Sequence, residues 1–137
     1  MIETRLTREF GLEQPIVSAP MALAAGGALA AAVSSAGGLG LIGGGYGDPD
    51  WIETAFRDAG NARVGCGFIT WKMAERPELL TQALAHAPAA LFLSFGDPRP
   101  FASAIAAASV PSLSPVPTLD HARTAVAVRE NPHPPPP

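Results

Sequence analysis

Five short apolar runs recur along the chain, and their centres lie about 20 to 27 residues apart. Each run has the length of one buried strand, and each interval between runs has room for one helix. Strands that are apolar on both faces and alternate with helices predict a parallel sheet that is covered by helices. The predicted strands are residues 15–18, 39–42, 63–69, 89–94 and 110–114.

Helical signals fill the intervals between those runs. Asp48 or Asp50 can cap one helix, since a carboxylate accepts hydrogen bonds from the free N–H groups of a first turn and Pro49 suits that turn. The same helix would place Trp51 and Phe56 on its inner face. The other predicted helices are residues 26–36, 75–86, 98–108 and 118–128.

Two architectures satisfy this alternation, an open doubly wound sheet and a closed (β/α)8 barrel. The chain has 137 residues, which five units of about 25 residues fill, whereas eight units need about 200 residues or more. If the fold is a barrel, we therefore expect an incomplete one with about five parallel β/α units. Its sixth strand would be absent, so the sheet would keep an open edge.

The last residues, "AVRENPHPPPP", abruptly replace the α/β pattern. Proline cannot continue a helix, and a run of prolines favours an extended conformation. We therefore expect one partial α/β domain over residues 1–128 and a disordered, proline-rich tail over residues 129–137. A shifted reading frame would produce the same kind of ending.

A glycine motif, G-x-G-x-x-G, spans residues 38–43 and raises the possibility of a dinucleotide site. That site requires a strand before the glycines and a helix after them. Here the order is reversed, because an alanine-rich helix comes first and the apolar residues among the glycines belong to a strand. We therefore expect these glycines to let a strand end and its loop approach a ligand closely.

Composition excludes several classes of protein. The net charge is −3 and no basic cluster is present, so nucleic acid is not expected as a partner. One cysteine allows neither a disulfide framework nor a zinc cluster. Residues 14–47 carry no charge, but prolines and glycines interrupt them, which disfavours a membrane helix. The charged N-terminus lacks the apolar core of a signal peptide, so we expect a cytoplasmic protein.

Candidate site residues follow the ends of the predicted strands, where α/β folds bind ligands. Small residues, one methionine and aromatic residues at four neighbouring strand ends suit a planar cofactor, although they would also suit a core beneath loops. These segments are residues 19–21, 43–47, 67–71 and 94–97.

No familiar catalytic set accompanies these segments. The histidines at 86, 121 and 133 lack metal-ligand spacing, so no metal site is expected. Ser18 and Ser94 lack the G-x-S-x-G elbow of a serine hydrolase. Cys66 lies in a predicted strand with no obvious base beside it, which indicates an inert buried thiol.

Four blocks together resemble the nitronate monooxygenase family, also called the 2-nitropropane dioxygenase family. They are "QPIVSAPMA", "LAAAVSSAGGLGLIGGG", "RVGCGFITW" and "LSFGDP", and the resemblance covers residues 1–126. It implies a TIM-type barrel that holds FMN non-covalently and oxidises alkyl nitronates with molecular oxygen. An FMN-dependent enoyl-acyl-carrier-protein reductase shares the first three blocks and is the alternative enzyme. A non-catalytic remnant of either enzyme is the third alternative.

The resemblance also assigns residues to the cofactor. Residues 19–21 match the segment that runs beside the isoalloxazine ring, and Gly43 matches the loop after the second strand. Gly67 stands where many relatives have an asparagine, so only a backbone contact is expected there. Residues 94–96 match the strand end beside the substrate space. The expected FMN-binding residues are Ala19, Pro20, Met21, Gly43, Gly67, Phe68 and Ser94.

The chain also departs from the family pattern. Pro115 and Pro117 stand where the family has glutamines, and Pro115 would remove a backbone donor near a central strand. The Gly-Gly-His motif with the family's proposed base is not among the 137 residues, nor are the loops after strands seven and eight that bind phosphate in such barrels. The resemblance therefore implies no catalytic residue in this chain. We expect a truncated chain that is inactive alone and holds FMN weakly.

Overall fold

The computed structural model describes residues 2–130 and has α/β architecture. Four strands pair in parallel, and their order across the sheet is their order along the chain. The strands are β1 (Leu41–Gly45), β2 (Gly65–Ile69), β3 (Leu91–Ser94) and β4 (Ser112–Leu113). The helices are α1 (Arg5–Phe10), α2 (Gly27–Ser35), α3 (Pro49–Ala59), α4 (Thr70–Glu75), α5 (Glu78–Ala85), α6 (Ala102–Ala107) and α7 (Leu119–Glu130), with a 3-10 turn over Arg99–Phe101.

The first predicted strand is reduced to one parallel bridge between Val17 and Leu39. The Ser18 N–H donates to the Leu39 carbonyl at 3.0 Å, and the Leu39 N–H donates to the Ile16 carbonyl at 2.9 Å. The ladder stops there because Pro20 has no N–H for the next rung. The Leu41 N–H donates instead to the Ser18 hydroxyl at 2.8 Å. Five successive β/α units are therefore present, as the sequence predicts.

The strand order separates the two architectures that the sequence leaves open. A doubly wound sheet reverses its order at a switch point and carries helices on both faces. Here each new strand adds to the same side, and α2, α3, α5 and α6 all contribute to one apolar cluster on one face of the sheet. Within residues 2–130 no strand pairs with the outer edge of β4. The fold is an incomplete TIM-type barrel, which confirms the prediction.

A second, smaller apolar cluster lies on the opposite face, near the start of the strands. Phe10 and Leu12 pack there against Leu39, Leu41 and Ala90. The chain from α1 thereby covers the end of the sheet where the strands begin. The carboxyl ends of the strands are left as the accessible end of the barrel.

Several helices differ from their predicted bounds or were not predicted. The helix predicted for residues 75–86 begins only at Glu78, because Pro77 forces Arg76 into an extended conformation with φ −139°. Residues 70–75 form α4, which the sequence reading did not predict. The helix α7 continues to Glu130, so residues 129–130 are helical and not tail. The remainder of the predicted tail, residues 131–137, lies outside the described residues.

Candidate functional site

A cavity of about 710 Å³ opens at the carboxyl ends of the strands. The segment before α2 forms one wall, and the ends of β1, β2 and β3 form the floor. Apolar and small residues dominate the lining, as in most small-molecule sites. The lining residues are Val17, Ser18, Ala19, Pro20, Met21, Ala22, Gly45, Gly67, Phe68, Ile69, Phe92, Ser94, Phe95 and Pro115.

Pro20 lies directly against Gly67 in the floor of this cavity. A Cβ atom on Gly67 would overlap the Cβ and Cγ atoms of the proline ring. Gly45 has the same role on the neighbouring strand, because its Cβ would lie 2.7 Å from the Cβ of Ala22. Glycines in β1 and β2 therefore let residues 20–22 cross the strand ends in close contact.

Gly43 is buried beneath the same segment, and it does not line the cavity. A Cβ on Gly43 would overlap the carbonyl oxygen of Met21. The Gly43 N–H donates to the Ala25 carbonyl at 2.8 Å, and the Trp51 indole N–H donates to the Gly43 carbonyl at 2.9 Å. Gly43 therefore supports the wall of the cavity from below.

The loop after β3 forms the other side of the mouth. The Ser94 hydroxyl donates to the Phe68 carbonyl at 3.2 Å, which ties the ends of β3 and β2 together. The Trp71 N–H donates to the Phe95 carbonyl at 3.2 Å. Phe95 has a φ of 57° and leaves 75% of its side chain exposed. The phenyl ring therefore stands at the mouth of the cavity and is not packed into the core.

None of the described residues that line the cavity carries a charge. The nearest charged pair along the chain is Asp97 with Arg99, whose side chains lie 2.7 Å apart. The Arg99 guanidinium holds the pKa of Asp97 below its ordinary value, chiefly through a hydrogen bond. The cavity can therefore hold an uncharged, largely apolar group without compensating charges.

Six of the seven residues predicted to bind cofactor meet at this cavity: Ala19, Pro20, Met21, Gly67, Phe68 and Ser94. Their contact with FMN stays a prediction. Phe95 lies in the predicted segment 94–97 and lines the cavity as well. The sequence reading missed Phe92, although Phe92 precedes a strand end and was detectable by alternation. Pro115 lies two residues beyond the end of β4 and lines the cavity. Its effect on the strand stays a prediction.

Cys66 and His86 do not line the cavity. Cys66 is fully buried in the cluster between sheet and helices, and burial raises the pKa of its thiol to about 12. His86 stacks on Phe56 with ring centroids 4.4 Å apart and lies 2.9 Å from the Glu53 carboxylate. Over residues 2–130, no three His, Cys, Asp or Glu side chains come together to hold a metal ion.

No helix in the described range has both the length and the apolar character needed to cross a bilayer.

Comparisons with known proteins identify relatives of the chain. The family model of nitronate monooxygenase matches residues 3–64. The structure of FabK from Thermotoga maritima superimposes with a TM-score of 0.83 and 27% sequence identity, covering 94% of this chain and 42% of that chain. A mutant of the same protein matches with the same TM-score and identity, over 45% of its length. No curated protein matches the chain.

The chain thus spans less than half the length of these solved structures. The matches confirm the resemblance of the N-terminal part to the nitronate monooxygenase family and the TIM-type fold.

Proposed function

We propose, from the match of residues 3–64 to the nitronate monooxygenase family, that the chain forms the flavin-binding half of an FMN-dependent oxidoreductase. Its substrate is an alkyl nitronate, and its oxidant is molecular oxygen. The observation that carries the proposal is the contact between residues 20–22 and the glycines of β1 and β2. That contact creates a broad apolar surface at the strand ends, where barrels of this kind bind ligands. A cytoplasmic location belongs to the same proposal.

The cavity fits the ring system of a flavin. Its volume of about 710 Å³ falls within the range of about 300 to 1,000 Å³ that small-molecule sites occupy. Pro20 and Met21 supply an apolar wall for a flat aromatic ring, and Gly67 supplies a floor without a side chain. Bound FMN would supply the redox chemistry, while these residues would orient the ring and exclude water from it.

The residues that line the cavity provide few groups that could bind the phosphate of FMN. Phosphate groups are bound by backbone N–H groups at helix N-termini or by Lys and Arg side chains. No described lining residue is basic. We therefore expect this chain to bind the ring weakly and to gain little affinity from the phosphate.

The match to FabK favours the enoyl-acyl-carrier-protein reductase as the second candidate. Both candidates would use the same flavin surface, so the described residues support them equally. They differ in the compound that reduces the flavin, which is the nitronate in one case and NADH in the other.

The discriminating experiment uses a complete barrel that contains this chain. Oxygen consumption with propyl-2-nitronate in the absence of NADH is the expected activity. NADH oxidation that depends on an enoyl thioester, without nitronate-driven oxygen consumption, would replace the first candidate by the second. A flavin-loaded barrel with neither activity would contradict both.

A further inference from the structure

Four residues other than glycine have a positive φ within residues 2–130. Two of them, Ala87 and Ser109, lie two residues beyond the ends of α5 and α6. Their N–H groups donate to Leu84 and Ala106 of those helices, each at 3.0 Å. A left-handed residue is common at this position after a helix, so both conformations have a local explanation.

Leu23 and Phe95 have no preceding helix that would explain their conformations. Their φ angles are 59° and 57°, and their side chains are 70% and 75% exposed. A bulky residue at positive φ is strained, and such strain persists where its surroundings impose it, often at ligand sites. Phe95 also lines the cavity at the strand ends.

Hydrogen bonds hold the loop around Phe95 in place on both sides. The Phe95 carbonyl accepts from the Trp71 N–H, and the hydroxyl of the preceding Ser94 donates to the Phe68 carbonyl. Gly96 packs so closely that a Cβ would lie 2.8 Å from the Trp71 nitrogen. Asp97 then accepts from the Arg99 backbone N–H at 2.9 Å. The surroundings therefore hold Phe95 in its strained conformation.

This conformation presents an apolar ring to solvent and gains no core packing in return. A ligand in the adjacent cavity would cover the ring and remove it from water. We propose that Phe95 is a specificity-determining residue whose ring packs on the apolar chain of the substrate. The proposal rests on the proposed function for the identity of the substrate, an alkyl nitronate or an enoyl thioester, both of which carry such a chain.

The test measures binding of primary nitroalkanes, from nitroethane to 1-nitrohexane, to the 137-residue chain by NMR titration. The affinity of the wild type should rise with chain length, by up to about fourfold for each methylene that is fully buried. The Phe95→Ala variant should lose most of this dependence on chain length. An unchanged dependence in Phe95→Ala would overturn the proposal.

A second measurement separates contact with a ligand from a role in folding. Ala87→Gly is the matched control, because it also relieves a positive φ but is not a lining residue and precedes the start of β3, whereas the cavity lies at the carboxyl ends of the strands. Both Ala87→Gly and Phe95→Gly should raise the melting temperature, by about 2–4 °C. Only Phe95→Gly should lose the chain-length dependence. A lower melting temperature for Phe95→Gly would show that the ring packs in the fold, and it would overturn the proposal.

Riboflavin binding distinguishes this proposal from the proposed function. If riboflavin fails to bind while the nitroalkane series depends on Phe95, the flavin assignment is wrong and Phe95 still selects apolar ligands. If riboflavin binds and the affinities of the nitroalkanes do not depend on Phe95, the flavin assignment stands and this inference is wrong. If the chain binds neither probe, both are wrong.

Discussion

Pro20 lies so close to Gly67 that a methyl group on Gly67 would overlap the Cβ and Cγ atoms of the proline ring. The two residues belong to different units of the barrel, one before α2 and the other in β2. Their contact fixes where the wall of the cavity crosses the floor. The shape of the site therefore depends on the absence of one side chain.

Replacing Gly67 by alanine should displace residues 20–22 and weaken flavin binding. Overpacking of a buried position typically costs about 1–3 kcal/mol, so the free energy of unfolding should fall by a similar amount. Urea denaturation and a riboflavin titration would measure the two effects. Gly26→Ala is the control, because its Cβ would lie 3.6 Å from the Trp51 ring, an ordinary contact distance.

A double substitution tests whether overlap with Pro20 causes the destabilisation expected for Gly67→Ala. Pro20→Gly removes the atoms that the new methyl group would overlap, so Gly67→Ala should cost less in that background than in the wild type. Equal costs in both backgrounds would mean that Pro20 does not limit the space above Gly67.

Loss of the Trp51 indole should destabilise the fold more than loss of the Trp71 indole. Trp51→Phe removes the donor to the buried Gly43 carbonyl, and loss of a partner for a buried group costs about 1–3 kcal/mol. Trp71 is half exposed, and among residues 2–130 its indole nitrogen has no hydrogen-bond partner, so Trp71→Phe is the matched control. We expect denaturant midpoints to fall for the first variant and to change little for the second.

Cys66 should be unreactive in the folded chain. Burial raises the pKa of its thiol from 9.0 to about 12, and the thiolate is the reactive form. A disulfide reagent at about pH 8 should label the thiol only after denaturation. Rapid labelling of the native chain would contradict its burial.

The same raised pKa predicts how stability depends on pH. Between these two pKa values the folded chain keeps the thiol protonated while the unfolded chain ionises it. The contribution of the thiol to the free energy of unfolding is therefore complete below pH 9.0 and is lost as the pH rises toward about 12. The wild type should therefore lose more stability over this window than Cys66→Ala, by up to roughly a few kcal/mol. If the stabilities of the wild type and of Cys66→Ala fall by the same amount over this window, the raised pKa is wrong.

Asp97 should titrate below the ordinary range of aspartate because Arg99 binds its charged form. Its contribution to stability is present above the ordinary pKa and is lost as the pH falls through the lowered value. Carboxyl NMR of Arg99→Gln should show the Asp97 pKa return toward its ordinary value.

The periodicity of apolar runs was sufficient to predict a parallel sheet covered by helices, but it left an open sheet and a barrel as alternatives, and the resemblance to the family favoured the barrel. Parallel strands place their carboxyl ends at one edge of the sheet. That geometry also brought together Pro20, Gly67 and Ser94 from three separate units. The sequence did not reveal that Gly43 faces the Met21 carbonyl, since a glycine required by neighbouring backbone looks the same as one required by a ligand. Nor did it reveal the positive φ of Phe95, which depends on contacts with Trp71 across two strand ends.

The most direct test of the account is the binding of riboflavin and FMN to the 137-residue chain, followed by quenching of flavin fluorescence. We expect both to bind weakly and with affinities within about a factor of three, because the lining residues would contact the ring and would give the phosphate no charge-assisted hydrogen bonds of about 1.5–3 kcal/mol each. We also expect Gly67→Ala to weaken the binding of both equally. If neither riboflavin nor FMN binds at the highest concentrations tested, the strand ends do not form a flavin-ring site.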